Sequence, residues 1–220
     1  MQASHEAAKD CSPRRKSWVE REIMSVQTLS ARVFLARYVE AFNECSPKVT
    51  EDQDCAWKNW TAFMTGKQGK VSGFWDKDKA VLPQTAEKLK LKWQLEYLHL
   101  DLVLFPSGDP WGNLVVVEHE NEIRGFQNEI EKLMSVLAPL KVGITYDGGN
   151  AEKHSELMEW IHRFFRTRHP LILEAPQTEY LFLLGAVNKG VRPWPTWKYL
   201  TFTCGDGPEG STFRDIGCGT

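Results

Sequence analysis

The sequence predicts an α/β fold, a mixed central sheet flanked by helices, and three stretches carry that prediction. Two apolar runs, Leu98 to Phe105 and Leu114 to Val117, flank a segment with two Pro and two Gly between Pro106 and Asn113. Such a segment reverses the chain, so the runs pair as an antiparallel hairpin. Next comes an apolar stripe at helical spacing, Ile123, Phe126, Ile130, Leu133, Met134 and Leu137, which predicts a helix over about 122–137 that Pro139 stops. Leu140 to Tyr146 is apolar and β-prone and ends at Asp147-Gly-Gly-Asn. Strand, helix, strand is a βαβ unit, so this last strand should lie parallel to the Glu118 strand.

The remaining elements follow in order. Residues 1–17 are polar and charged, with a basic cluster at Arg14, Arg15 and Lys16, and read as a mobile arm. From Ser25 or Ser30 to about Glu44, the positions Leu29, Val33, Ala36, Tyr38, Val39 and Phe42 predict a helix that Ser46-Pro47 ends. Trp57 to Met64 reads as a short helix and Val71 to Trp75 as a short strand. In Asp76 to Lys92, Lys88, Lys90 and Lys92 alternate with Leu89, Leu91 and Trp93. That pattern suits a strand with a basic face or the polar end of a helix; as a basic face it could track phosphates. An amphipathic helix is expected over about 151–166, with Leu157, Trp160, Ile161, Phe164 and Phe165 inward and a basic end. Leu171 to Leu173, Tyr180 to Val187 and Trp197 to Thr203 read as strands. The Gly-rich residues 205–220 have little to bury and read as a flexible tail, leaving residues 18–204 as a single domain.

The hairpin carries carboxylates where strands normally carry none: Asp101 in the first run, Glu118 and Glu120 at the end of the second. Side chains alternate along a strand, so Glu118 and Glu120 share a face and His119 points the other way, as a packed or surface histidine. On the first strand Leu98, Leu100, Leu102 and Leu104 share one face, and Tyr97, His99, Asp101 and Val103 the other, which makes His99 a neighbour of Asp101. Three acids beside an apolar core repel one another and lose hydration, and a divalent cation is the simplest compensation. Mg²⁺ or Mn²⁺ takes oxygen ligands of this kind, one or two carboxylates with water and substrate phosphate. Glu40 beside its helix stripe is an extra-ligand candidate or an exposed glutamate; Glu129 and Lys132 are a surface pair at i, i+3 or contributors to the pocket.

Composition bounds the rest. The 220 residues carry a net charge of −2 and are 42% hydrophobic, an ordinary globular balance in which any basic surface must be local. Five cysteines show no CxxC or Cys/His zinc spacing, which argues against a disulfide framework and for a reducing, cytoplasmic setting. No stretch approaches a membrane span, so a membrane is not among the expected partners.

The order helix, hairpin with Asp then Glu-x-Glu, helix, strand resembles the core of the PD-(D/E)XK, or restriction-endonuclease-like, nuclease superfamily. Asp101 matches its first acid and Glu118 its second, seventeen residues on; Glu120 stands where most members have Lys, an E-x-E variant. Leu100 stands where the motif has Pro. The match covers about residues 29–146. The resemblance implies a restriction-endonuclease-like sheet, Mg²⁺ or Mn²⁺ held by Asp101, Glu118 and Glu120, and hydrolysis of phosphodiester bonds, in DNA before RNA. Glu120 would serve as a further ligand or as base for the attacking water. It also leaves room for a homodimer. The alternative is a catalytically inactive binding or assembly module on the same fold, favoured by the missing Lys and the acidic charge balance.

Overall fold

The computed structural model describes residues 29–45, 60–66, 79–97, 99–107, 112, 114–147, 150–168, 174–186 and 196–216. The expected N-terminal arm and the short strands at Val71 to Trp75 and Leu171 to Leu173 lie outside the described residues. Helix α1, Ala31–Cys45, begins where expected. The Ser30 hydroxyl accepts from the Val33 amide at 3.3 Å, and the Glu179 carboxylate accepts from the Ala31 amide at 2.6 Å. Both satisfy amides that a helix start leaves open, and the carboxylate also suits the positive end of the helix dipole. Helix α2 spans Trp60–Thr65 and α3 spans Val81–Lys88.

The 76–92 stretch resolves its ambiguity by doing both things. Lys88 ends α3, Lys90 turns the chain at φ 57°, and Lys92 opens strand β1, Lys92–Tyr97. The three lysines therefore form no single ridge, and Lys88 pairs with Glu44 at 2.7 Å. Strand β1, not foreseen as an element of its own, pairs antiparallel with β2, Leu100–Phe105, through a tight turn in which Tyr97 faces Leu100. His99 sits in that turn at φ 65°, exposed, rather than beside Asp101 on the strand. The reversal also breaks the expected leucine face: Leu102 and Leu104 bury against α1, while Leu100, at the turn, packs on the opposite side of the sheet.

Strand β3, Val115–His119, pairs antiparallel with β2, and the expected hairpin stands. Helix α4 covers Phe126–Met134, shorter than the stripe implied. Residues 121–125 form turns before it, and Leu137 lies beyond it, 75% exposed, so its place in the buried stripe is corrected. Phe126, Ile130 and Leu133 are fully buried. Strand β4, Leu140–Tyr146, runs parallel to β3, as the βαβ reading requires. Helix α5 spans Ala151–Arg168; β5 spans Glu179–Ala186, parallel to β4, and β6 spans Thr196–Thr203, antiparallel to β5. A two-residue edge strand, β7, Arg214–Asp215, pairs with β6 inside the Gly-rich segment read as a tail.

The sheet of the described residues thus has seven strands in sequence order, antiparallel at both edges and parallel in the centre. One core lies between the sheet and α1 to α3, lined by Leu102, Val117, Val142 and Ile144. The other lies between the sheet and α4 and α5, lined by Val103, Val116, Phe126 and Phe182. Helix α4 comes very close to the sheet at Gly143, where a Cβ would stand 2.6 Å from the Phe126 ring. Glycine there is a packing requirement that fixes how deep the helix sits over β3 and β4. Among the described residues no helix is long and apolar enough to cross a membrane.

Candidate functional site

The end of the β2–β3 ladder builds the site. Leu102 and Val117 are its last Cα partners, and Asp101 and Glu118 are the next residue on each strand. Val103 and Val116 pair one step earlier and both line the core under α4, so alternation turns Asp101 and Glu118 to that same face. Asp101 is half-buried, and its Oδ2 accepts from the His119 amide at 2.8 Å, which fixes the first acid to the strand carrying the second. Glu118 is completely buried, and its carboxyl oxygens meet no backbone or hydroxyl donor; their contacts are with side chains of α4.

One turn along α4 supplies the rest. Lys132 Nζ lies 3.2 Å from Glu118 Oε1 and is ion-paired with Glu129 as well. The Glu129 side chain is 13% exposed and Lys132 is 41% exposed, so the lysine reaches from the rim to a buried acid. The bland i, i+3 pair of the sequence is therefore the outer half of a pocket. Two acids, Glu118 and Glu129, contact one ammonium, and Asp101 adds its charge beside Glu118. Burial, then the charge of Asp101, then the Glu129 carboxyl push Glu118 up to about 9, and Lys132 pulls the other way without prevailing. For Lys132, burial works against its charge, but contact with Glu129 and Glu118 outweighs it and raises the ammonium's pKa.

The other sequence candidates go elsewhere. Glu120 shares the Glu118 face by alternation, but its Oε1 accepts from the Glu122 amide at 3.0 Å and its carboxylate packs over Gly125, where a Cβ would meet it at 2.7 Å. Its visible role is at the entry to α4, a turn-stabilising contact of the kind short acidic side chains and glutamates make near helix starts. Glu40 forms an exposed pair with Arg37, at 2.7 Å and 2.8 Å to its two oxygens. His119 does face away: it is buried on the α1 side, with Nε2 3.0 Å from the Tyr146 hydroxyl. No family model, curated protein or solved structure matches the chain.

The fit to a divalent cation can be judged from the donors. Asp101 and Glu118 are hard oxygen ligands, and Glu118 is buried beside like charges that outweigh the nearby Lys132, which a divalent cation would offset. Among the described residues no three acid, histidine or cysteine side chains already stand arranged to hold one ion. Two carboxylates completed by water and substrate phosphate form the arrangement Mg²⁺ commonly takes, so the residues fit that class of site. Lys132 was the residue most easily passed over in the sequence. Its spacing from Glu129 announces a surface pair, and only the seating of α4 brings it to Glu118.

Proposed function

We propose that the chain is a metal-dependent phosphodiesterase of the restriction-endonuclease-like type, acting on nucleic acid, DNA before RNA. The observation that carries this reading is the completely buried Glu118, beside Asp101, with the Lys132 ammonium 3.2 Å from its carboxylate. The mixed sheet with an acid on each hairpin strand, followed by a helix and a parallel strand, supports it. Lysine is absent from the third position of the strand motif, where Glu120 stands, yet a lysine is present in space. Helix α4 supplies it, and Lys132 takes the part otherwise given to the strand lysine.

In this reading Asp101 and Glu118 would hold Mg²⁺ or Mn²⁺, which supplies Lewis-acid polarisation of the scissile phosphate and a more acidic bound water. Asp101 is held in place by the His119 amide and so presents a fixed oxygen edge. The Lys132 side chain, anchored at its stem by α4 and open at the rim, can orient an attacking water or a phosphate oxygen through its three donors. Packing of Phe126 on Gly143 keeps α4, and therefore Lys132, at the depth this requires.

The test is nicking of supercoiled plasmid and cutting of branched or single-stranded oligonucleotides in Mg²⁺ or Mn²⁺. Metal-dependent cleavage by the wild type that Asp101→Asn removes is the expected result. No cleavage at any metal concentration, or full cleavage by Asp101→Asn, would sink the catalytic reading. The non-catalytic module would then replace it, a reading favoured by Glu120 being engaged at the helix entry.

A further inference from the structure

We infer that the Gly-rich segment 206–216 is a hinged strap that releases from α5 and β6 in acid, and that His154 of α5 is the contact that lets it go. The strap lies at the β6–β7 edge of the sheet, three strands from Glu118 on β3, and stands apart from the proposed function.

The segment leaves the sheet from a fixed point. The Cys204 amide donates to the Thr178 carbonyl at 2.7 Å and the Gly205 amide to the Pro176 carbonyl at 2.8 Å, and a Cβ at Gly205 would stand 3.1 Å from that same oxygen. Past this base the chain turns at Gly207, φ 66°, and Gly210, φ 72°, where a Cβ would meet nothing within 4 Å. Left-handed glycines in open surroundings suit a hinge. Of residues 206–216 only Pro208 is buried; Phe213 and Ile216 are half-buried, and Asp206, Glu209, Arg214 and Asp215 are exposed. Little apolar area therefore resists release.

Side-chain pins and a short ladder hold the strap down. On α5, Arg166 pairs with Glu209 at 3.4 Å, His162 Nε2 donates to the Ser211 carbonyl at 3.2 Å, and the His154 ring meets the Phe213 ring edge-on at 5.1 Å. On β6, Lys198 pairs with Asp215 at 3.6 Å beside the two-residue β7 ladder, and the Ile216 amide donates to the Trp197 carbonyl at 2.9 Å. The carboxylates of both ion pairs are exposed, so each pair contributes little in water. The His162 contact survives protonation, because an Nε2–H donates in the neutral tautomer and in the imidazolium alike. His154 is different. It stands under Phe213 among Lys198 of β6, Asp147 at the end of β4 and Asp215 of β7. Burial, then the Lys198 charge, hold its pKa below the ordinary 6.5, and Asp147 and Asp215 act the other way without prevailing. Lifting Phe213 removes part of that burial, so the open strap binds the proton more tightly than the closed one. Closure is therefore most stable above 6.5 and weakens as pH falls below it.

The experiment is hydrogen exchange of the full chain between pH 7.5 and 5, read by mass spectrometry on peptides covering residues 205–216, with β4 as the internal reference. Protection factors divide out the intrinsic pH dependence of exchange. Wild-type strap protection should fall below pH 6.5 by up to about tenfold per pH unit, the limit for one proton, while β4 stays protected. His154→Phe keeps a ring against Phe213 and should remove that fall; His154→Gln should remove it too, at lower overall protection. In Phe213→Ala the His154 imidazole, followed by NMR, should titrate closer to 6.5 than in wild type. Strap protection that stays flat down to pH 5, or an acid-induced fall that persists in either folded His154 variant, overturns the inference. So does a fall shared equally by β4, which is global unfolding rather than release, and so does a His154 titration that Phe213→Ala leaves unmoved.

Discussion

Two lysine–glutamate pockets lie on the same face of this sheet, and they are built in opposite ways. At one, Lys141 on β4 pairs with Glu174, and the side chains are 1% and 3% exposed. The Tyr180 hydroxyl donates to the other Glu174 oxygen, and the lysine lies 5.6 Å from the centre of the Tyr180 ring. Burial pushes the Lys141 ammonium down to about 8, with Cys204 acting in the other direction. One charge meets one charge, sealed by aromatic rings. At the other pocket, two residues further along the same strand faces, Lys132 reaches in from the rim to Glu118 and Glu129, with Asp101 beside Glu118. A matched and sealed pair specifies packing. An unmatched and open one keeps charge in reserve for something that arrives from outside.

The comparison breaks most visibly at the sealed pocket. Lys141→Met leaves the Glu174 carboxylate buried without its partner, and the expected loss is about 3–5 kcal/mol of stability in denaturant unfolding. The double variant Lys141→Met with Glu174→Leu should recover most of that, since both desolvation costs disappear together. If the single variant is as stable as wild type, the pair carries no structural weight and the contrast between the pockets fails.

The open pocket should respond the other way, in activity rather than stability. Asp101→Asn should lower metal-dependent cleavage about a hundredfold or more, the scale for one electrostatic group in a transition state. Its unfolding midpoint without metal should hold or rise slightly, because the Asp101 charge is one of those that oppose ionisation of buried Glu118. A variant that loses stability in proportion to its activity would show Asp101 acting only through its bond to the His119 amide.

Much of this architecture is legible in the residues, and the reasons for the rest are physical. The hairpin, α4 and β4 follow from period-two and period-3.6 patterns because each element buries one continuous face. The β1 strand was hidden because its basic alternation ran straight on from the end of α3, and only the positive φ at Lys90 separates the two. Asp101 and Glu118 stood out because acids interrupt apolar strands. Lys132 could not stand out, since α4's depth is set by Phe126 on Gly143, a contact between residues seventeen apart that no periodicity reports. Replacing Gly143 with Val should lift α4 and cost about 1–3 kcal/mol by overpacking, with weaker Mn²⁺ binding if helix depth governs the site. Binding that stays unchanged in a destabilised Gly143→Val would separate the helix from the site.

The gentlest probe of the contrast is pH. Without metal, Glu118 holds its proton in the folded protein up to about 9, whereas the unfolded chain releases it near the ordinary value of 4.5. Between those values the folded state binds the extra proton, so stability is greatest at the low end and falls as pH rises through the window. The slope from this one group is at most about 1.4 kcal/mol per pH unit. Glu118→Gln keeps an uncharged side chain of the same shape and should flatten that part of the profile. Saturating Mn²⁺ should flatten it as well, since a cation that keeps the folded carboxylate ionised removes the proton difference between the folded and unfolded states above about 4.5. Urea unfolding at pH 5, 7 and 8.5, with chelator and then with Mn²⁺, reads both. A chelator-treated wild type whose slope matches that of Glu118→Gln would mean that Lys132 already keeps Glu118 ionised. The pocket would then be charge-matched like the Lys141 pair, with no reserve left for an arriving ion.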